Sequence, residues 1–395
     1  MKKTLLGMIA ITLSLCLQAT TAYAGPQVKE WTFLVFLNGH NNLDRFGDMN
    51  IRQMEEVGST DQVNLVAQWA SLRHGNTRRV FVEKGSHQVV EEMAPVDMGD
   101  YHQLVEFVRW AKEKYPAKKY FINVWNHGNG WHLQKLQSGE IKPTDISYDD
   151  RTGNKITTEQ LGLAMNEAAR ITGSKIELYG SDACLMSMAE VAAEMSDSVS
   201  YFAGSQEVEP GEGWPYANFI RRWVANPKIN GGELGKILSE EYYKAYTGGV
   251  YGRREITFSI FDLAKMDIFN QAISQLSAEL RSQPREGMSA ARASALNTES
   301  YTSSDYKDIH DFVDLLEKQQ ANGVRSGTIA QVRSAISQLV IVNHVTNSFK
   351  RSHGISVWLP TEEWEYSVFS ERYSGLQFHR ESGWGDFLNT MVRFK

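Results

Sequence analysis

The sequence predicts an α/β protein with a mostly parallel central sheet and helices on both faces. Two observations carry this. Residues 31–37 read WTFLVFL, a continuous apolar run, as expected for a strand covered on both faces rather than one. Similar runs then alternate with helical periodicity through the first half of the chain. A βαβα order of this kind builds parallel strands joined by helical crossovers.

Residues 63–69 (VNLVAQW) are the expected second strand. Tyr101, Leu104, Val105, Val108 and Ala111 recur at helical spacing, and Pro116 stops that helix. Residues 119–125 form a third strand that runs out to His127. A helix over 157–171 leads to a fourth strand at 175–179, which runs into Cys184. A helix over 185–195 follows directly. Later signals are less regular: strands at 201–203 and 257–261, a helix through Ile309, Phe312, Val313 and Leu316, and a buried strand at 354–360. No repeat, low-complexity tract or Pro/Ser-rich linker divides the chain. One unit is therefore expected over residues 25–395, with its C-terminal third wrapped on the core.

Residues 1–24 read as an export signal. Lys2 and Lys3 precede an apolar run from Leu5 to Leu17, and Ala22-Tyr23-Ala24 has the small-x-small pattern of a cleavage site. The run is short for a membrane span. Leu15 ahead of Cys16 is a poor match to a lipoprotein signal. The expected product is exported, to the periplasm or outside the cell, without an integral membrane anchor. It would hold 371 residues with a formal charge of −8. That balance argues against a nucleic-acid binder. The stretch 132–155 is polar, contains Gly139, Pro143 and Gly153, and carries Lys135, Lys142, Arg151 and Lys155. It reads as an exposed insertion between the strands that end at His127 and Cys184.

After signal removal Cys184 is the only cysteine, so no disulfide accounts for it. Parallel α/β sheets collect their sites at the carboxyl ends of strands. His127 and Cys184 both occupy such ends, 57 residues apart in sequence. A thiol at a helix N-terminus and near an imidazole is a candidate nucleophile with its acid–base partner. The N–H groups of Cys184 and Gly128 would hold an oxyanion. Asp182 opposes thiolate formation if charged nearby, and would instead orient His127 or face the substrate. Taken singly, Cys184 is equally well a small buried hydrophobe, and His127 a hydrogen-bonded turn residue. Their shared placement favours catalysis. HExxH, paired zinc cysteines, a phosphate-binding glycine loop and GxSxG do not occur. His40 and His353 read as surface or turn residues. Asp145, Asp149 and Asp150 are the candidate calcium ligands, but they read as solvated loop carboxylates without EF-hand spacing, and no cofactor is expected.

Several segments resemble the clostripain family of cysteine peptidases, in the clan that also holds caspases and gingipains. They are FLVFLNGHNNLD, NVWNHGNGW around His127, YGSDACLMSMAEVA around Cys184, SQEVEPGEGWPY, DIHDFVDLL and HGISVWLP. The resemblance implies a caspase-like α/β/α sandwich with C-terminal additions. It implies an endopeptidase using His127 and Cys184, with Gly128 at the oxyanion site and proteins or peptides as substrates. Cleavage after Arg or Lys is implied, with Asp182 and Glu212 at acidic pocket positions and Glu207 and Glu209 as further candidates. Self-cleavage between the two catalytic strands, in 132–155, is also implied by some relatives; calcium dependence is left open. Two alternatives stand beside this reading: a catalytically silent peptide- or glycan-binding protein on the same fold, and a thiol acyltransferase or ligase.

Overall fold

The computed structural model describes residues 27–132, 134–135, 141–142, 145–319 and 323–394. The expected export signal lies outside these residues.

Nine strands form the main sheet among the described residues: β1 (Lys29–Gly39), β2 (Val63–Ser71), β3 (Asn76–Glu83), β4 (Ser86–Met93), β5 (Ala117–Trp125), β6 (Ile176–Asp182), β7 (Val199–Gly204), β8 (Thr257–Asp262) and β9 (Val340–Val345). Their spatial order is 9-8-7-6-5-1-2-3-4. Strands 7-6-5-1-2 are parallel neighbours. Only β3 and β8 run against the others, which gives the mostly parallel sheet expected.

The alternation in β1 explains its apolar run. Trp31, Phe33, Val35 and Leu37 enter one core, while Leu34 and Phe36 enter the other. Helices α1 (Asp44–Glu55), α5 (Tyr216–Ala225) and α6 (Gly231–Tyr246) cover the first face, through residues such as Ile51, Phe219, Trp223 and Leu238. Helices α2 (Tyr101–Lys114) and α3 (Thr158–Thr172) and the short α4 (Ala189–Ala193) cover the second. The later helices join them there: α7 (Met266–Arg281), α8 (Arg285–Asn297), α9 (Ile309–Lys318), α10 (Ser326–Leu339), α11 (Glu363–Gly375), α12 (Gln377–Ser382) and α13 (Trp384–Val392). Local chemistry marks several helix starts. The Asp100 carboxylate accepts from His102 N at α2, and reciprocal capping boxes open α3 (Thr157, Gln160) and α6 (Asn230, Glu233).

Four expectations are corrected. The late strand is only Ser356–Trp358, and it pairs with Tyr306–Asp308 outside the main sheet. The stretch 132–155 is not uniformly exposed. His132 is buried in an ion pair with Asp305 at 3.0 Å, and Ile146–Asp149 pairs with Asn154–Ile156 as a hairpin whose Ile146 and Ile156 join the core. Within that hairpin, Asp145 and Asp149 are fully buried rather than solvated. Asp145 pairs with Arg372 and, at 3.2 Å, with Lys155. Asp149 pairs with His40 Nδ1 at 2.7 Å, so His40 is an interior residue and not a surface one.

Candidate active site

β5 and β6 run side by side with Trp125 opposite Asp182, so both chains leave the sheet at the same level. Asn126 N–H then donates to Asp182 O at 3.3 Å. Gly128 draws the two loops together. A Cβ on it would lie 2.6 Å from the Cys184 carbonyl oxygen and 2.9 Å from Ala183 Cβ. Only a residue without a side chain fits there. Gly128→Ala is expected to lower stability by about 1–3 kcal/mol through overpacking and to cut activity at least tenfold. Paired thermal melts and peptide kinetics check both. Wild-type values would refute the close approach.

His127 is anchored from the neighbouring strand. β1 ends at Gly39, and Asn126 Nδ2 donates to Asn38 O at 2.6 Å. The chain then turns so that Asn42 Oδ1 accepts from His127 Nε2 at 2.7 Å. A carboxamide oxygen can only accept, so this contact is made by the Nε2–H tautomer. Asn42 was not singled out in the sequence. Its only signal was its place just beyond the carboxyl end of a predicted strand.

A cleft of about 200 Å³ is lined by His127, Cys184, Asp182, Val208, Glu209 and Gly213 among others. The Cys184 thiol donates to Glu209 O at 3.9 Å. Burial pushes its pKa up to about 12, and the Glu209 and Glu207 carboxylates add to the rise. The resting group is therefore a thiol. The helix expected at 185 begins only at Ala189 and spans five residues. Leu185 has φ +64°, and the next residues extend to meet Ser356, with Ser356 N–H donating to Ser187 O at 3.0 Å. Cys184 therefore gains no helix N-terminus to lower its pKa.

Asp182 and Glu209 form a buried acidic pair. Asp182 Oδ2 accepts from Tyr216 Oη at 2.6 Å and from Trp214 N at 3.4 Å. Glu209 Oε2 accepts from Trp214 Nε1 at 3.2 Å. Gly213, at φ +64°, passes so close that a Cβ would sit 2.7 Å from Asp182 Oδ1. Burial raises the Asp182 pKa to about 7. Glu209 is raised well above the usual range by burial and by Asp182. Two carboxyls so placed hold at least one proton between them near neutrality. The other two glutamates lie elsewhere. The Glu207 carboxylate is engaged by Thr302 N and Oγ1 and by Val208 N. Glu212 is partly exposed and outside the cleft lining, and its carbonyl accepts from Asn50.

The family model of the clostripain family matches residues 35–390. The chain belongs to the clostripain family. Clostripain of Hathewaya histolytica is 24% identical over 316 residues, which cover 69% of this chain and 59% of that relative. Two solved structures share the fold with TM-scores of 0.70. One is a secreted C11 cysteine protease from Bacteroides thetaiotaomicron bound to an irreversible peptide inhibitor, 19% identical, with 91% of this chain and 99% of that chain covered. The other is an inactive zymogen C11 protease from Parabacteroides distasonis, 17% identical, covering 90% and 99%. This clostripain-family fold is the caspase-like α/β/α arrangement expected. No helix among the described residues is long and apolar enough to cross a membrane.

Proposed function

We propose that this chain is an exported cysteine endopeptidase that cuts after Lys or Arg. The observation that carries the reading is the convergence of His127 and Cys184 on one cleft floored by Asp182 and Glu209. His127 Nδ1 takes the thiol proton as the sulfur attacks the scissile carbonyl. The N–H groups of Gly128 and Cys184 receive the oxyanion, and the imidazolium protonates the leaving amine. Water then hydrolyses the thioester. Because the resting thiol is protonated, attack and proton transfer are coupled, and little free thiolate exists before substrate arrives. Fluorogenic peptides ending in Lys, Arg, citrulline or Leu test the specificity. Equal rates on citrulline and Arg would remove the acidic pocket. Adding an amine nucleophile and analysing the products separates hydrolysis from acyl transfer.

Self-processing is part of the proposal, with the cut in 132–155 after Arg151 or Lys155, or after Lys135 or Lys142 in the stretch 133–144. The His132–Asp305 pair and the Asp145–Arg372 pair flank that stretch and tie both ends to the C-terminal part of the chain. A cut between them would leave two fragments that stay associated. Of the basic residues, Lys155 is engaged by Asp145, whereas Arg151 is exposed in a turn. The side chains of Lys135 and Lys142 lie outside the described residues. Wild type is expected to give two bands on a denaturing gel but one gel-filtration peak, and Cys184→Ala a single band. An active enzyme that stays one intact chain would rule self-processing out.

A further inference from the structure

Away from the cleft, His310 and Asp314 stand one turn apart on α9, and His353 approaches them from the turn before Ser356–Trp358. One potential ligand atom from each lies within 4.8 Å of the other two. The two imidazole rings stack with centroids 4.0 Å apart. His310 Nδ1 is closed off from solvent. It sits 3.4 Å from Asp314 Oδ2 yet makes no hydrogen bond of ordinary geometry. A buried nitrogen without a partner is costly, and its lone pair or proton needs an occupant.

We propose that His310, Asp314 and His353 bind a zinc-class divalent cation. Two imidazoles and one carboxylate suit zinc, cobalt, nickel or copper, whereas calcium and magnesium take oxygen ligands. Neighbouring donors on a tetrahedral ion sit about 3.4 Å apart, and an imidazole lone pair lies in its ring plane, so the two stacked rings must turn out of their stack to face one ion, with water in the fourth position. Asp314 Oδ1 now accepts from Arg333 Nε at 2.8 Å. Arg333 also holds Glu317 at 2.8 Å, so it keeps a carboxylate partner when Asp314 turns to the metal.

The site is wired to the wall of the cleft. His353 N–H donates to Asp308 Oδ2 at 2.6 Å, and Gln206 Nε2 donates to the same oxygen at 3.1 Å. Gly354 N–H returns a bond to Gln206 Oε1 at 2.9 Å. The next residue, Glu207, accepts from Leu185 N at 3.2 Å, directly after Cys184. A cation on His353 would therefore brace the loop that carries Glu209. The metal proposal does not depend on the peptidase reading.

The test is zinc chloride titrated calorimetrically into Cys184→Ala protein spanning residues 25–395, which lacks both Cys16 and the Cys184 thiol that would themselves take zinc. One site and a rise in melting temperature are expected. Adding His310→Ala or His353→Ala should weaken binding about tenfold or more. Cobalt in the Cys184→Ala protein should give the visible absorption of a four-coordinate nitrogen–oxygen site. Asp314→Asn leaves both rings in place and serves if a histidine variant fails to fold. Zinc affinity unchanged in folded His310→Ala or His353→Ala, or in Asp314→Asn, would overturn the proposal. So would the absence of zinc binding to the parent protein.

Discussion

Cys184→Ala is expected to reduce kcat/KM by on the order of 10⁴-fold or more on every peptide the wild type cuts. The variant should still fold, because the thiol makes one long contact, at 3.9 Å to Glu209 O, and alanine leaves only a small void beside an open cleft. Peptide binding should persist, measured with a substrate that the variant cannot cleave. His127→Ala should lose a similar amount, since a thiol held near pKa 12 is a poor nucleophile without a group to receive its proton. The double variant should be no worse than either single one, because the two residues act as one unit. Losses that multiplied across the double variant would mean independent roles. Residual activity in purified Cys184→Ala within tenfold of wild type would exclude the cysteine mechanism altogether.

The parallel core was legible because its strands are buried on both faces and so spell apolar runs, as in β1, β2 and β5. The sheet edges were not. β4 is mostly exposed and reads SHQVVEEM, and β9 is only partly covered. α1 was missed because it is strongly polar overall: its buried face includes Asp44, Gly47 and Asn50, so only Ile51 and Met54 mark that face with large apolar side chains. That His127 and Cys184 would line one cleft was readable because both follow strand ends in a parallel sheet. Asn42 was not, because its role depends on β1 lying beside β5, and a spatial order is not written locally. The choice among the three glutamates was hidden too. Their directions follow from the path of residues 205–214. That path is fixed by Ser205 Oγ and the Gln206 and Glu207 N–H groups on Thr257, and by Glu207 on Thr302. The early start assigned to α4 failed because tertiary pairing with Ser356 outweighed a run of good helix formers.

Affinity for substrates with Lys or Arg before the cut bond should strengthen as pH rises through about 7, and affinity for citrulline substrates should not. Asp182 is raised to about 7 by burial, and Glu209 is raised beside it, so the pair is largely protonated and neutral in acid. A neutral pair cannot hold a guanidinium or ammonium group. Deprotonation above the raised pKa supplies the charge, and the incoming cation pulls the pKa values down in turn. The linkage has an opposite face in the free enzyme. Between the ordinary carboxyl range and about pH 7 the folded state binds more protons than the unfolded state, so this pair favours folding in acid and loses that contribution as pH rises. Asp182→Asn separates the two effects. It removes the charge while leaving an oxygen for Tyr216 Oη and Trp214 N. It should raise KM for Arg peptides by on the order of 10²-fold, as expected when a buried charged partner is lost. It should also raise the melting temperature of the free enzyme near pH 8, because one of two repelling carboxylates is gone. In the proposed complex, a basic substrate side chain would offset the repulsion between the two carboxylates. Because Glu209 also raises the Cys184 pKa, the same cation eases ionisation of the thiol. Asp182→Asn should thus lower kcat on Arg peptides as well as raise KM. A change in KM alone would show that the pocket selects substrate without activating the nucleophile. Equal losses on Arg and citrulline peptides would show that it does neither.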